Sequence, residues 1–265
     1  MNLNTVMKAL HPADREALTA IAMRVGKSDT WLAGGTSLFS EPQPRVRRLI
    51  DLLSMNWQPL TASEQGLSIS ATCNLGTLAA FKTPAAWPAA RLIGPSCTAF
   101  PVAFKNWGVA TVGGNLCMSL PSGPMISLCT ALEGVCTIWT PAGGERRLCV
   151  QDFIRGPRLP ALRPGEVLRS IKLSAEALSR PMAFRRVSLT HSGYSDAFLV
   201  GTVSKEGHLV LTVTASTRRP LRFTFEGVPS EAEVRKKLAS AIPMDLYYDD
   251  IHGHPDWCRK MTLDL

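Results

Sequence analysis

The sequence predicts a protein of mixed helix and strand in two domains, and three observations carry that reading. The 265 residues are enough to bury a sizeable core and exceed the usual size of one domain. Short runs with strand period are interleaved with helical spacings up to about residue 174, whereas beyond residue 181 strand-like runs follow one another closely before helical patterns return. A composition change over Ser174 to Pro181 separates the two stretches. A hydrophobic content of 45% and a charged content of 19% belong to an ordinary globular chain and exclude a disordered one.

Taken in order, Val6 to Val25 carries Leu10, Ala17, Leu18, Ile21, Ala22 and Val25 at helical spacing, with a restart at Pro12, and predicts an amphipathic helix. Thr30 to Ala33 reads as a short buried strand and Arg48 to Leu52 as the next. Gly66 to Ala71 alternates Leu67, Ile69 and Ala71 with serines, the period of a half-buried strand, and a helix follows over Leu75 to Phe81. The alanine-rich, proline-interrupted stretch Pro84 to Ala103 predicts one or two short helices. Met125 to Leu132 predicts a buried helix ended by Gly134, then a hairpin of Val135 to Thr140 and Arg146 to Val150 across the turn Pro141 to Gly144. A turn at Leu162 to Glu166 leads into a strand over Val167 to Leu173. Past the boundary, Met182 to Val187, Ala197 to Ser204 and Leu209 to Ala215 read as antiparallel strands. Glu231 to Ala239 is a helix capped by Ser230, and Pro255 to Leu265 begins a last one.

Charge and cysteine usage narrow the function. Lys and Arg number 29 against 21 Asp and Glu, a net +8 that suits an anionic cofactor, an acidic partner surface or nucleic acid. The basic residues stand in short scattered groups without interleaved aromatics, which argues against nucleic acid. The seven cysteines form no C-x-x-C pair and sit mostly among apolar neighbours, so buried reduced thiols are expected in place of disulfides, zinc or an iron–sulfur cluster. Met1 to Leu10 lacks the apolar core of a signal peptide and no later run reaches the length of a membrane span, so the expected location is cytoplasmic, with no membrane partner.

Two glycine pairs stand out. Ala110-Thr111-Val112-Gly113-Gly114-Asn115 and Leu32-Ala33-Gly34-Gly35-Thr36-Ser37-Leu38 each end a short apolar run in Gly-Gly beside small polar residues. Without a Cβ in the way, backbone amides there can approach an anion, and two such loops could clasp one pyrophosphate from two sides. The plain alternative is a tight turn at the first pair and a glycine bulge at the second. Trp107 could stack on a cofactor or belong to the core. His252 and His254 look like a metal pair but sit in a polar stretch that reads as a solvated turn. Asp152 and Glu166 fit structural hydrogen bonding at a hairpin end and a turn better than paired acid–base chemistry. Ser195, Asp196 and His191 match a hydrolase trio in composition only, with no nucleophile-elbow pattern.

The order of these pieces resembles the FAD-binding medium subunit of the molybdenum hydroxylases, the family of xanthine dehydrogenase and carbon monoxide dehydrogenase. The resemblance rests on Leu32 to Thr36, Leu49 to Leu52, Ala110 to Leu116, the Leu132 to Phe153 hairpin ending in Gln151-Asp152-Phe153, Pro164-Gly165-Glu166-Val167-Leu168 and the closing His252-Gly253-His254-Pro255. It implies an α+β chain with a two-subdomain FAD-binding domain of the vanillyl-alcohol-oxidase (PCMH) type over residues 1–175, its subdomains at about 1–53 and 54–175. A smaller C-terminal α+β domain with an antiparallel sheet would follow over 181–265.

The resemblance further implies that Leu32, Ala33, Gly34, Gly35, Thr36, Ser37 and Leu38, with Thr111, Gly113, Gly114 and Asn115, hold the FAD pyrophosphate. Val167 and Leu168 would lie near the isoalloxazine ring, with the basic side chain of Arg185 near the flavin. No catalytic residue and no metal site are expected in this chain. An iron–sulfur small subunit and a molybdenum-pterin large subunit would be its partners, and NAD, oxygen or a quinone its electron acceptor. The sequence departs from the family at Ser37 and Pro124, where Asp is common, at Trp107-Gly108, where Arg-Asn is common, and at Arg185, where Lys is common. Those departures motivate an alternative, a flavin-free structural subunit of the same complex.

Overall fold

In the computed structural model, which describes residues 4–100, 106–190, 193–250 and 253–265, the chain opens on a small parallel sheet. Strand β1 (Lys8–Leu10) leads to helix α1 (Arg15–Ala22), then β2 (Asp29–Leu32) and β3 (Arg48–Asp51), in the order β1-β3-β2. The helix expected from Val6 is thus corrected at its N-terminal half, where Lys8 to Leu10 pair in register with Arg48 to Ile50. Pro12 disfavours a helical conformation at His11, and Asp14 starts a new helix by accepting from the Ala17 amide at 2.8 Å. Leu10 then packs with Leu18 and Ile50, so the apolar spacing that mimicked one helix is shared by a strand and a helix of one cluster.

The middle of the chain builds an antiparallel sheet. Strands β4 (Leu60–Ser63) and β5 (Gly66–Ser70) precede short helices α2 (Leu75–Ala79), α3 (Ile93–Thr98), α4 (Val112–Met118) and α5 (Pro124–Ala131). There follow β6 (Val135–Trp139), β7 (Glu145–Cys149), a turn of helix α6 (Val150–Phe153), the small ribbon β8 (Ile154–Gly156) and β9 (Leu159–Pro160), and the long β10 (Val167–Ser174). The sheet order is β4-β5-β10-β6-β7, every pairing antiparallel.

After the short helix α7 (Ala175–Ser179), a four-stranded meander follows: β11 (Met182–Val187), β12 (Ala197–Val203), β13 (Leu209–Thr214) and β14 (Leu221–Phe225). It is followed by α8 (Glu231–Ala241) and α9 (Pro255–Asp264). Ser230 and Glu233 close a full capping box on α8. The edge strands β4 and β14 were not foreseen from the sequence.

One large core lies between the five-stranded sheet and helices α2 to α5, and it extends to Phe198, Val200 and Ala215 of the meander. Helix α5 is buried along its whole length and packs on β12 and β13, which is why its sequence is apolar all round. A buried hydrogen bond of 2.6 Å between the Ser127 and Thr214 hydroxyls crosses that contact. Just beyond α5, the Glu133 carboxylate accepts from Arg180 at 2.8 Å and from Arg222, tying α7 and β14 to the helix end.

The small parallel sheet is held against the larger one by Leu18, Ile50 and Leu52 packing on Val167. Arg15 donates to the Gly143 carbonyl at 2.9 Å and lies over the Trp139 ring at 4.7 Å. Trp107 packs against the main core, in agreement with the core reading of that residue. All seven cysteines are free, five of them buried; Cys117 is half-buried and Cys149 exposed.

Candidate functional site

The loop after β2 and the start of α4 meet across one cavity of about 590 Å³, within the range of small-molecule and cofactor sites. Every predicted site residue except Arg185 lines it: Leu32 to Leu38 on one side, Thr111, Gly113, Gly114 and Asn115 on another, and Val167 and Leu168 at the start of β10. Arg185 stands exposed on β11 and donates to the Phe184 carbonyl, outside the cavity lining.

The first loop is made by backbone geometry. A Cβ on Gly34 would stand 1.8 Å from the Val109 carbonyl oxygen, so only glycine lets the two loops cross there. Gly35 has φ +68°, turning the chain so that Phe39 donates back to the Gly35 carbonyl at 2.8 Å. The amides of Gly35, Thr36, Ser37 and Leu38 make no hydrogen bond with the described residues. Four consecutive unpaired amides at a cavity wall form the kind of concave donor set that takes an anion.

The second loop differs from what the sequence suggested. Val112 to Met118 is helix, with Thr111 as its N-cap, so both glycines lie in a first turn and not in an open nest. The Val112 amide donates to the Cys73 carbonyl, the Gly113 amide to the Ala71 carbonyl, each at 2.9 Å, and the Gly114 amide to Thr111 Oγ1 at 3.0 Å. A Cβ on Gly113 would lie within 2.7 Å of the Ala71 backbone, which explains the glycine as a helix-to-strand contact. Polar groups remain at this wall. Asn115 Oδ1 accepts from the Met125 amide at 3.0 Å, which leaves its Nδ2 without a partner among the described residues.

Pro124 occupies the first position of α5, where a missing amide costs nothing, and Asn115 satisfies the next amide in its place. The ring also lines the cavity.

Glu166 lies on the cavity wall with its side chain 2% exposed, and its oxygens accept from Arg146 at 2.8 and 2.6 Å and from the Arg163 amide at 2.8 Å. The Arg146 guanidinium holds this carboxyl below the usual carboxylate range, against a burial that would raise it. The pair positions the turn that carries Val167 and Leu168, as the structural reading of Glu166 expects. Cys117 reaches the cavity, but burial pushes its thiol up to about 12, so it stays protonated at neutral pH.

Other candidates fall away from the site. Ser195 accepts from Arg186 Nε at 2.7 Å, the opposite of an activated nucleophile, and His191 lies outside the described residues. His254 pairs with Asp249 at 3.2 Å on an exposed turn, while His252 lies outside the described residues. Among the described residues no cluster of His, Cys, Asp or Glu could hold a metal ion, and no helix is long and apolar enough to cross a membrane.

The cavity also gathers residues that sequence reasoning missed, among them Thr72, Phe100, Asn106, Arg158 and Tyr194. None carries a local motif; they arrive from four separate connections along the chain, so no local signal could have found them.

An antiparallel core sheet flanked by a small parallel one, with a cavity lined by both glycine loops, defines an α+β protein with room for a cofactor-sized ligand. Comparison with known proteins makes the class specific. Residues 5–174 match the model of the FAD binding domain in molybdopterin dehydrogenase, and the chain belongs to that family. Caffeine dehydrogenase subunit beta of Pseudomonas sp. (strain CBB1) is 26% identical over 117 residues, which cover 43% of this chain and 40% of that subunit.

Two solved structures share the fold over 98% of this chain and 94% of theirs. One is a carbon monoxide dehydrogenase from Hydrogenophaga pseudoflava that lacks the Mo-pyranopterin moiety of the molybdenum cofactor, with TM-score 0.83 and 18% identity. The other is the reconstituted enzyme of Oligotropha carboxidovorans, with TM-score 0.80 and 19% identity. The residues present fit FAD: unpaired amides for a diphosphate, and the apolar side chains of Val167 and Leu168, each 3% exposed, for a ring.

Proposed function

We propose that this chain is the FAD-carrying electron-transfer subunit of a heterotrimeric molybdenum hydroxylase. In this reading it takes electrons from the iron–sulfur clusters of a small partner, which receives them from a molybdenum-pterin large subunit, and passes them to NAD, oxygen or a quinone. Residues 1–175 form its FAD-binding domain, with subdomains at about 1–53 and 54–175, and residues 181–265 its C-terminal domain. The observation that carries the reading is the single cavity shared by both glycine loops and by Val167 and Leu168.

FAD held in this cavity would supply the conversion of single electrons into pairs. The chain's own contribution is binding and insulation. The amides of Gly35 to Leu38, which make no hydrogen bond with the described residues, would hold the diphosphate, and being backbone groups they would need no side-chain ordering to do so. Thr111 and Asn115 offer a hydroxyl and an amide group from the opposite wall. Val167 and Leu168 would keep water from the ring, and Glu166 with Arg146 holds the turn that carries those two residues.

The test is the visible absorption spectrum of the purified chain, alone and co-expressed with its partners, followed by release and identification of the flavin. FAD near one per chain is expected. The second reading, a flavin-free structural subunit, is favoured by the internal pairing of the Val112, Gly113 and Gly114 amides and by Pro124. A colourless chain that still assembles with its partners would select it.

A further inference from the structure

We propose that Arg158 is a diphosphate-binding residue of this site, held by Glu41 until the cofactor's phosphates replace the carboxylate; the assignment rests on the flavin reading above. Arg158 and Glu41 both line the cavity, and Arg158 Nη2 donates to Glu41 Oε1 at 3.1 Å. Their side chains are 57% and 53% exposed, so the pair is solvated and exchanges partners at little cost.

The charge balance of the cavity supports the assignment. Among the described lining residues the only Lys or Arg is Arg158. The carboxylates are Glu41 and Glu166, and Glu166 is already neutralised by Arg146. The first loop offers neutral amides and the start of α4 offers no free ones, so a doubly charged diphosphate has one cation to meet.

Placement of Arg158 is built in. It has φ +56°, a conformation that glycine adopts more cheaply, and yet a long charged side chain stands there. Its amide donates to the Ser119 carbonyl at 3.1 Å, and the Ser119 hydroxyl donates to the Gly156 carbonyl at 2.7 Å. The β8–β9 ribbon is thereby pinned to the C-terminal end of α4, the helix whose first turn lines the same cavity.

The experiment titrates the chain, stripped of flavin, with FAD and with riboflavin, which lacks phosphate, reading flavin fluorescence at two salt concentrations. Arg158→Gln should weaken FAD about tenfold, the scale of a hydrogen bond to a charged group, leave riboflavin unchanged and reduce the salt dependence of FAD binding. Arg158→Gly relaxes the backbone and keeps the amide, so it should show the same ligand pattern with an undiminished melting temperature. Glu41→Gln should tighten FAD several-fold, since a competitor for the guanidinium is gone.

Equal weakening of both flavins in the Arg158 variants would reduce the pair to a structural latch and overturn the assignment, as would FAD affinity that ignores Arg158. A wild-type chain that binds neither flavin would instead remove the flavin reading itself.

Discussion

The two glycine loops look alike in sequence and do different physical work. After β2, Gly34 permits the crossing with Val109 and Gly35 turns the chain, and the four amides from Gly35 to Leu38 find no partner among the described residues. At α4, Gly113 permits the crossing with Ala71 and Gly114 sits beside its cap, after which the amides of Val112, Gly113 and Gly114 are all paired. Each pair therefore spends one glycine on letting two backbones touch. Only the first converts the second glycine into an anion-ready surface, because its φ is positive and no helix follows to consume the amides. A Gly-Gly pair signals close backbone approach, and what approaches is decided by the element that comes next.

The strongest way to break the comparison is to fill both crossings. Gly34→Ala and Gly113→Ala each place a Cβ against backbone atoms that cannot step aside, and each should lower unfolding free energy by about 3 kcal/mol in denaturant titrations. If one of them is tolerated, the crossing at that loop is looser than the geometry states.

A smaller effect is expected at the wall that both loops face. Glu166→Gln removes the negative partner of Arg146 and should cost about 2 kcal/mol. Because the folded carboxyl titrates below its unfolded value near 4.5, its stabilisation is complete above that pH and is lost as the pH falls further toward the folded value. Wild-type stability should therefore decline on acidification below about pH 4.5 more steeply than that of Glu166→Gln, measured by thermal unfolding across pH. Parallel curves would remove the ion pair from the account of how Val167 and Leu168 are positioned.

The smallest effect sharpens the difference between the loops. Thr111→Val deletes the acceptor for the Gly114 amide and should cost about 1 kcal/mol, as the loss of a helix cap does. Its effect on flavin content should be slight beside that of changes in the first loop. A large loss of flavin at unchanged stability would mean that Thr111 contributes as much to cofactor binding as the first loop does and that the two loops are more alike than their hydrogen bonds indicate.

Legibility followed the range of the interactions. Elements whose signals are local were readable: the hairpin β6–β7 from its Pro-Ala-Gly-Gly turn, α8 from its Ser230 cap, and β5 from its serine alternation. Where pattern and tertiary pairing competed, pairing won, as at Lys8–Leu10, whose helical spacing became a strand edge once β3 lay beside it. The exposed, polar β4 carries little periodic signal of its own and exists because β5 offers a free edge. The site divided in the same way. Residues flanking the glycine pairs were visible, whereas Arg158 and Tyr194 come from a two-strand ribbon and from the loop after β11, with nothing in their neighbours to mark them.

By itself the sequence determined the two glycine pairs, their flanking hydroxyls and apolar residues, and the periodicities that build most strands and helices around them, because those depend on neighbours a few residues apart. The tertiary structure alone decided which amides stay free, which carboxylate is neutralised and which cation faces the cavity. Those properties depend on what the fold brings within about 3 Å of each group, over sequence separations such as the 117 residues between Glu41 and Arg158, and no pattern along the chain encodes that distance.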